Sequence, residues 1–166
     1  MSVAATSGTS FDGPGLPALV RAGLLTGVSD GLFSSALAQF AYGSTVTRLF
    51  QGVASTLIGS DAMTGGMRTA ALGVLMHFGV AFGWSTVFFV LVHRSRWIRD
   101  VLRSRYGAIR IAALYGPAIW VVMSLAVIPA LVHRPPTINF RWWVQLVGHF
   151  PFVGLPIAAS IRRGLR

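Results

Sequence analysis

Four stretches of this chain, about residues 16–43, 67–92, 111–132 and 140–161, stay predominantly apolar for as long as a bilayer core is thick. A hydrocarbon layer of about 30 Å needs roughly 20 helical residues at about 1.5 Å rise each. A chain of 166 residues that is 54% hydrophobic and only 11% charged has too little polar surface to hide four such runs in a water-soluble core. The predicted fold is therefore an all-α integral membrane protein. It is a four-helix transmembrane bundle with one short interfacial helix between spans 1 and 2. A disordered tail is expected over residues 1–15, rich in Ser, Thr, Gly and Ala, followed by a single transmembrane domain over 16–166.

The first run carries the most specific pattern. Gly23, Gly27 and Gly31 recur every four residues, and Asp30 falls on nearly the same helical face as Gly23, Gly27 and Ser34. Small residues let a second helix approach closely, so this face predicts a packing seam with an acid in it. Gly79-x-x-x-Gly83 in the second run offers another seam, and with it a homo-oligomer or a membrane partner helix. Ala36-Leu37-Ala38 has the form of a signal-peptide cleavage site, but the run is long for a signal and contains Asp30, so it is expected to stay attached. Residues 46–58 place Val46, Leu49, Phe50, Val53 and Leu57 at helical spacing, with Arg48, Gln51 and Ser55 off that face. Too short to span, the segment is expected at the interface, with a re-entrant position as the alternative.

The charge is +10, from fourteen arginines against four aspartates, with no lysine and no glutamate. The arginines border the apolar runs, which fits a positive-inside bias and argues against nucleic-acid binding. Ten lie on the side of the 93–110 loop and the termini, and four (Arg48, Arg68, Arg134, Arg141) on the other. Both termini are thus expected in the cytoplasm. Arg94, Arg96, Arg99, Arg103 and Arg105 would form an inner-face surface helix attracted to anionic lipid headgroups. With no cysteine, disulfides and thiolate metal sites are excluded, and no metal-ligand spacing such as H-E-x-x-H occurs.

Ionisable and polar side chains within spans are costly and hence functional candidates. Asp30, Ser34, His77, Gln145 and His149 are expected to meet at similar depth. Read plainly, they hydrogen-bond across helices in a non-catalytic structural, assembly or envelope-homeostasis component. A second reading is a small proton, ion or solute transporter or channel subunit using Asp30. A third is b-type haem held between His77 and His149, as facing helices can supply two axial imidazoles. No enzyme active site is expected, because no nucleophile elbow or phosphate loop is present.

In the C-terminal third, Pro135-Pro136, Trp142-Trp143, Gly148-His149 and Arg162-Arg163 follow one another in an order that resembles the end of the YagU-like family of small bacterial inner-membrane proteins. Gly23-Leu24-Leu25-Thr26-Gly27, with Ser29 after it, resembles that family's opening helix. The resemblance implies a multi-pass location in the bacterial inner membrane, attaches no reaction, and singles out His149 with Gly148 and the Gly23/Gly27 pair.

Overall fold

The computed structural model describes residues 13–165, which are helical with no strand among them. Helix α1 (Leu16–Ala36) starts with Pro17 in its first turn, where a missing N–H breaks no helical bond. It continues through a π-helical turn (Leu37–Ala41) and stops before Gly43, whose φ of 58° favours glycine. Thr45 caps α2 (Val46–Ile58) by accepting the Arg48 N–H. A 3₁₀ turn (Gly59–Met63) leads to α3 (Gly66–Arg94), and Ser95 caps the short α4 (Arg96–Arg103). Then α5 (Gly107–Val122) passes through a π turn (Met123–Val127) into α6 (Ile128–Val132). Asn139 caps α7 (Phe140–His149), which runs through a third π turn (Phe150–Gly154) into α8 (Leu155–Arg163).

Three helical runs are long and apolar enough to cross a membrane: Gly66–Arg94, Gly107–Val132 and Phe140–Arg163. Their bounds exceed the expected ones by a few residues at the ends, where helix continues into the flanking polar sequence. Helix α1 is long enough too, but Arg21, Asp30 and Gln39 make it less apolar than those three.

The seam on α1 faces α3 in antiparallel order. The ring of Phe82 fills the notch at Gly23, Phe78 the one at Gly27, and His77 lies beside Gly31. Helix α5 crosses the α7–α8 run where Gly116 meets the His149 carbonyl and Gly154 meets Ala112, so closely that an added Cβ would overlap backbone. Phe88, Leu102, Ile111, Ile119, Val153, Ile157 and Ile161, with alanines between them, form one dry core. That core fills the end of the bundle next to α4. The opposite end, next to α2, holds the polar residues.

Several expectations need correction. The tail does not extend to residue 15: Pro14 is fully buried and Gly13 sits against His93, while residues 1–12 lie outside the described part. Gly79 and Gly83 are exposed, with nothing near either one among the described residues, so that seam is not used inside the described bundle and stays open to a second copy or a partner helix. Gln51, expected off the packing face of α2, is buried and donates to the Gly66 carbonyl. It does so because α2 leans its Gln51–Ala54 side on the start of α3, where Gly73 admits the Phe50 carbonyl. The basic surface helix is only eight residues long, because α3 runs on to Arg94 and α5 starts at Gly107. Within it Arg99 is committed elsewhere. Its Nη1 donates to the carbonyls of Val92 (2.6 Å) and His93 (2.9 Å) and so closes the C-terminus of α3. Arg94, Arg96, Arg103 and Arg105 stay exposed.

The glycines make opposite predictions. Gly116→Val, which drives a side chain into backbone, is expected to cost about 3 kcal/mol or more. Gly83→Val, on an open face, should stay within about 0.5 kcal/mol. Unfolding in mixed detergent micelles measures both.

Candidate functional site

All five polar candidates line one cavity of about 280 Å³. Asp30 and Ser34 reach it from α1, His77 from α3, and Gln145 and His149 from α7. Phe50, Trp84, Trp120, Met123 and Val153 supply apolar wall. The convergence follows from the glycine notches. With no side chain at Gly27 or Gly31, α3 comes near enough for His77 to reach past its own helix to α1.

His77 makes two contacts there. Its Nε2 donates to the Gly27 carbonyl at 2.9 Å, which fixes the proton on that nitrogen because a carbonyl can only accept. Its Nδ1 then faces Asp30 Oδ2 at 3.9 Å, the only acid–base contact among the described residues. Both side chains are mostly buried, 14% and 16% exposed. His149 has the other tautomer. Its Nδ1 donates to the Gln145 carbonyl at 2.7 Å, leaving Nε2 as an acceptor when the ring is neutral, and its ring lies 4.9 Å from that of Trp120. Gln145 Nε2 stands 3.5 Å from Ser34 Oγ, a long contact.

Four buried polar atoms on this cavity have no hydrogen-bond partner among the described residues: Thr26 Oγ1, Asp30 Oδ1, Trp120 Nε1 and Gln145 Oε1. Together they present donor and acceptor capacity to whatever enters. In an apolar surrounding each such atom costs about 1–3 kcal/mol when left alone.

The haem reading does not fit these residues. Both nitrogens of His77 are engaged, one with the Gly27 carbonyl and the other toward Asp30, and a cavity of about 280 Å³ lies below the usual range for much smaller ligands. No group of three or more His, Cys, Asp or Glu capable of holding a metal occurs among the described residues. Comparison with known proteins adds no relative: no family model, curated protein or solved structure matches the chain.

A second, wider pocket of about 420 Å³ opens at the α2 end, and it shares Trp120, Ile128 and Gln145 with the first. These three side chains are the partition between them. Trp142, Ser124, Arg134, Arg141, Tyr42 and the Pro135-Pro136 loop complete this vestibule.

Sequence reasoning missed Trp120, Tyr42 and the crossing at Gly116 and Gly154. The spacings Ala112-x-x-x-Gly116 and Gly154-x-x-x-Ala158 carry the same small-residue signal as α1 and mark that crossing. Nothing local marks Trp120, which looks like one more apolar residue in its run. Ser29 was noted only as part of a motif. Its hydroxyl donates to the Phe152 carbonyl, the group that Pro156, lacking an N–H, cannot satisfy.

That bond sets a double-mutant test. Ser29→Ala alone is expected to cost about 1 kcal/mol, and clearly less when Pro156→Ala restores the helical N–H. Unfolding of the two single variants and the double variant measures the coupling.

Proposed function

We propose that this protein is a small membrane transporter or channel subunit, in which Asp30 and His77 hold a proton and the cavity takes a proton or a small polar solute. One observation carries the reading. The Asp30–His77 pair lies on the wall of a cavity that also presents the unpartnered Thr26, Trp120 and Gln145 atoms. A bundle that only packs has no use for these groups, since each weakens it in an apolar medium.

The membrane arrangement in this reading has four spans, with α1 as the first. Leu16, Val20, Leu24, Leu25, Val28 and Leu32 face outward from α1, while Thr26, Gly23 and Gly27 are buried and Asp30 lines the cavity. That inside-out distribution suits lipid and not water. The α4 end, with most of the arginines, is the cytoplasmic side, and both termini lie there. Arg94, Arg96, Arg103 and Arg105 then meet anionic headgroups. The likeness to YagU-like proteins supports a bacterial inner membrane. With the dry core shut at the α4 end and the vestibule at the α2 end, the conformation is open to the outside. Proline at 117, 129, 151 and 156 and the π turns at Met123–Val127 and Phe150–Gly154 give α5–α6 and α7–α8 places to bend.

The structural or assembly role keeps one supporting observation. The exposed Gly79/Gly83 face would let a second copy or another membrane helix pack closely.

Proton flux into proteoliposomes, followed with an entrapped pH-sensitive dye, tests the proposal. Asp30→Asn is expected to lower flux at least about tenfold while leaving the thermal midpoint close to wild type. Equal flux in the two proteins, or none above empty liposomes in wild type, rejects transport through Asp30 and leaves the assembly role.

A further inference from the structure

The vestibule has a chemistry of its own. Its charged lining residues are Arg134 and Arg141, with no acid among the residues that line it. The guanidinium of Arg141 lies 4.3 Å from the centroid of the Tyr42 ring, and among the described residues neither arginine makes a side-chain hydrogen bond or ion pair. Resting on an aromatic face holds a guanidinium in place through the ring quadrupole and leaves its in-plane N–H groups free. Those N–H groups match the paired oxygens of a carboxylate or phosphate.

The remaining walls mix apolar side chains (Trp120, Ile128, Pro129, Val132, Trp142) with a few uncharged polar ones. Trp142 is buried, and its Nε1 is locked to Ser124 Oγ at 2.9 Å. Trp120 stands 6.3 Å from it, ring to ring, with its own Nε1 unpartnered. The Tyr42 hydroxyl is also buried without a partner among the described residues. Two arginines without a side-chain hydrogen bond, the unpartnered Tyr42 hydroxyl and two indole walls thus line one space of about 420 Å³.

We propose that this vestibule recognises a small organic anion, its charged group held by Arg134 and Arg141 and its apolar body laid against Trp120 and Trp142. The site deepens the transport reading and rests on it for its role, as the outer mouth of the path that leads past Trp120 and Gln145 to Asp30. Two sources offer the same chemistry: a soluble organic anion and the phosphate of an anionic lipid headgroup.

Benzoate is a suitable probe, with benzamide as its uncharged counterpart, titrated calorimetrically into the full chain in phosphatidylcholine nanodiscs. Saturable binding of benzoate and not of benzamide is expected. Arg134→Gln and Arg141→Gln should each weaken it about tenfold. Arg141→Lys should recover only part of the loss, because an ammonium cannot lie flat on Tyr42. Arg48→Gln, an exposed arginine outside the vestibule at the same end, should leave binding unchanged. Adding phosphatidylglycerol separates the sources. Unchanged benzoate binding assigns the site to a soluble anion, and competition that depends on Arg134 and Arg141 assigns it to a lipid headgroup. Both results uphold an anion site. Absence of saturable benzoate binding, equal binding of benzamide, or indifference to both arginine substitutions overturns it. Lost binding with Asp30-dependent flux intact removes the vestibule site alone, whereas binding without such flux removes the transport reading and keeps the site.

Discussion

The close approach of α1 and α3 is the contact on which the rest of this bundle depends. Three glycines one turn apart leave α1 without side chains along a strip, and Phe82, Phe78 and His77 of α3 fill it. In lipid there is little hydrophobic force between helices, so such fitting of rings into notches supplies much of the association. It also has a chemical consequence. Only with α3 this near does His77 reach the Gly27 carbonyl with one nitrogen and Asp30 with the other. Helix packing and the Asp30–His77 contact are in this way one arrangement, made by the same turn of helix.

The bundle is divided along its length. At the α4 end, aliphatic side chains and alanines close every gap, and Arg99 and Arg21 satisfy helix-terminal carbonyls of α3 and α8. At the α2 end, aromatic and polar side chains surround two adjoining cavities. Two of the three π turns lie at the join. Each inserts an extra residue per turn and shifts the helical face, and those at Met123–Val127 and Phe150–Gly154 flank Trp120 and His149. The prolines of α5–α6 and α7–α8 leave carbonyls that their own helices cannot satisfy, and Ser29 of α1 takes up one of them. The bends that shape the cavity are therefore tied to neighbouring helices and are not free kinks.

Much of this was legible from residue spacing. The glycine register of α1, the inward turn of Asp30, and the meeting of Asp30, Ser34, His77, Gln145 and His149 all follow from helical periodicity and depth. Other features were not. Gly79 and Gly83 have the same spacing as the α1 glycines, yet no described residue packs on them, because a spacing rule cannot say which face of a helix finds a neighbour within the chain. Gln51 and Arg99 read as solvent-facing by type, but each serves a backbone carbonyl that local sequence leaves open. Trp120 carries no local sign of its role, since a partition exists only when two cavities do.

What the residues alone determined is the elements: apolar runs as long as a bilayer is thick are read as helices, and three of them prove long and apolar enough to cross a membrane. Periodicity further decided which side chains could share a face. Tertiary structure decided the partners: which glycine strip is filled, which imidazole nitrogen carries the proton, and which arginines remain free. The physical reason is reach. Backbone preference and hydropathy act within a turn or two of helix, whereas a hydrogen bond between Gly27 and His77 joins positions fifty residues apart and exists only once the helices are side by side.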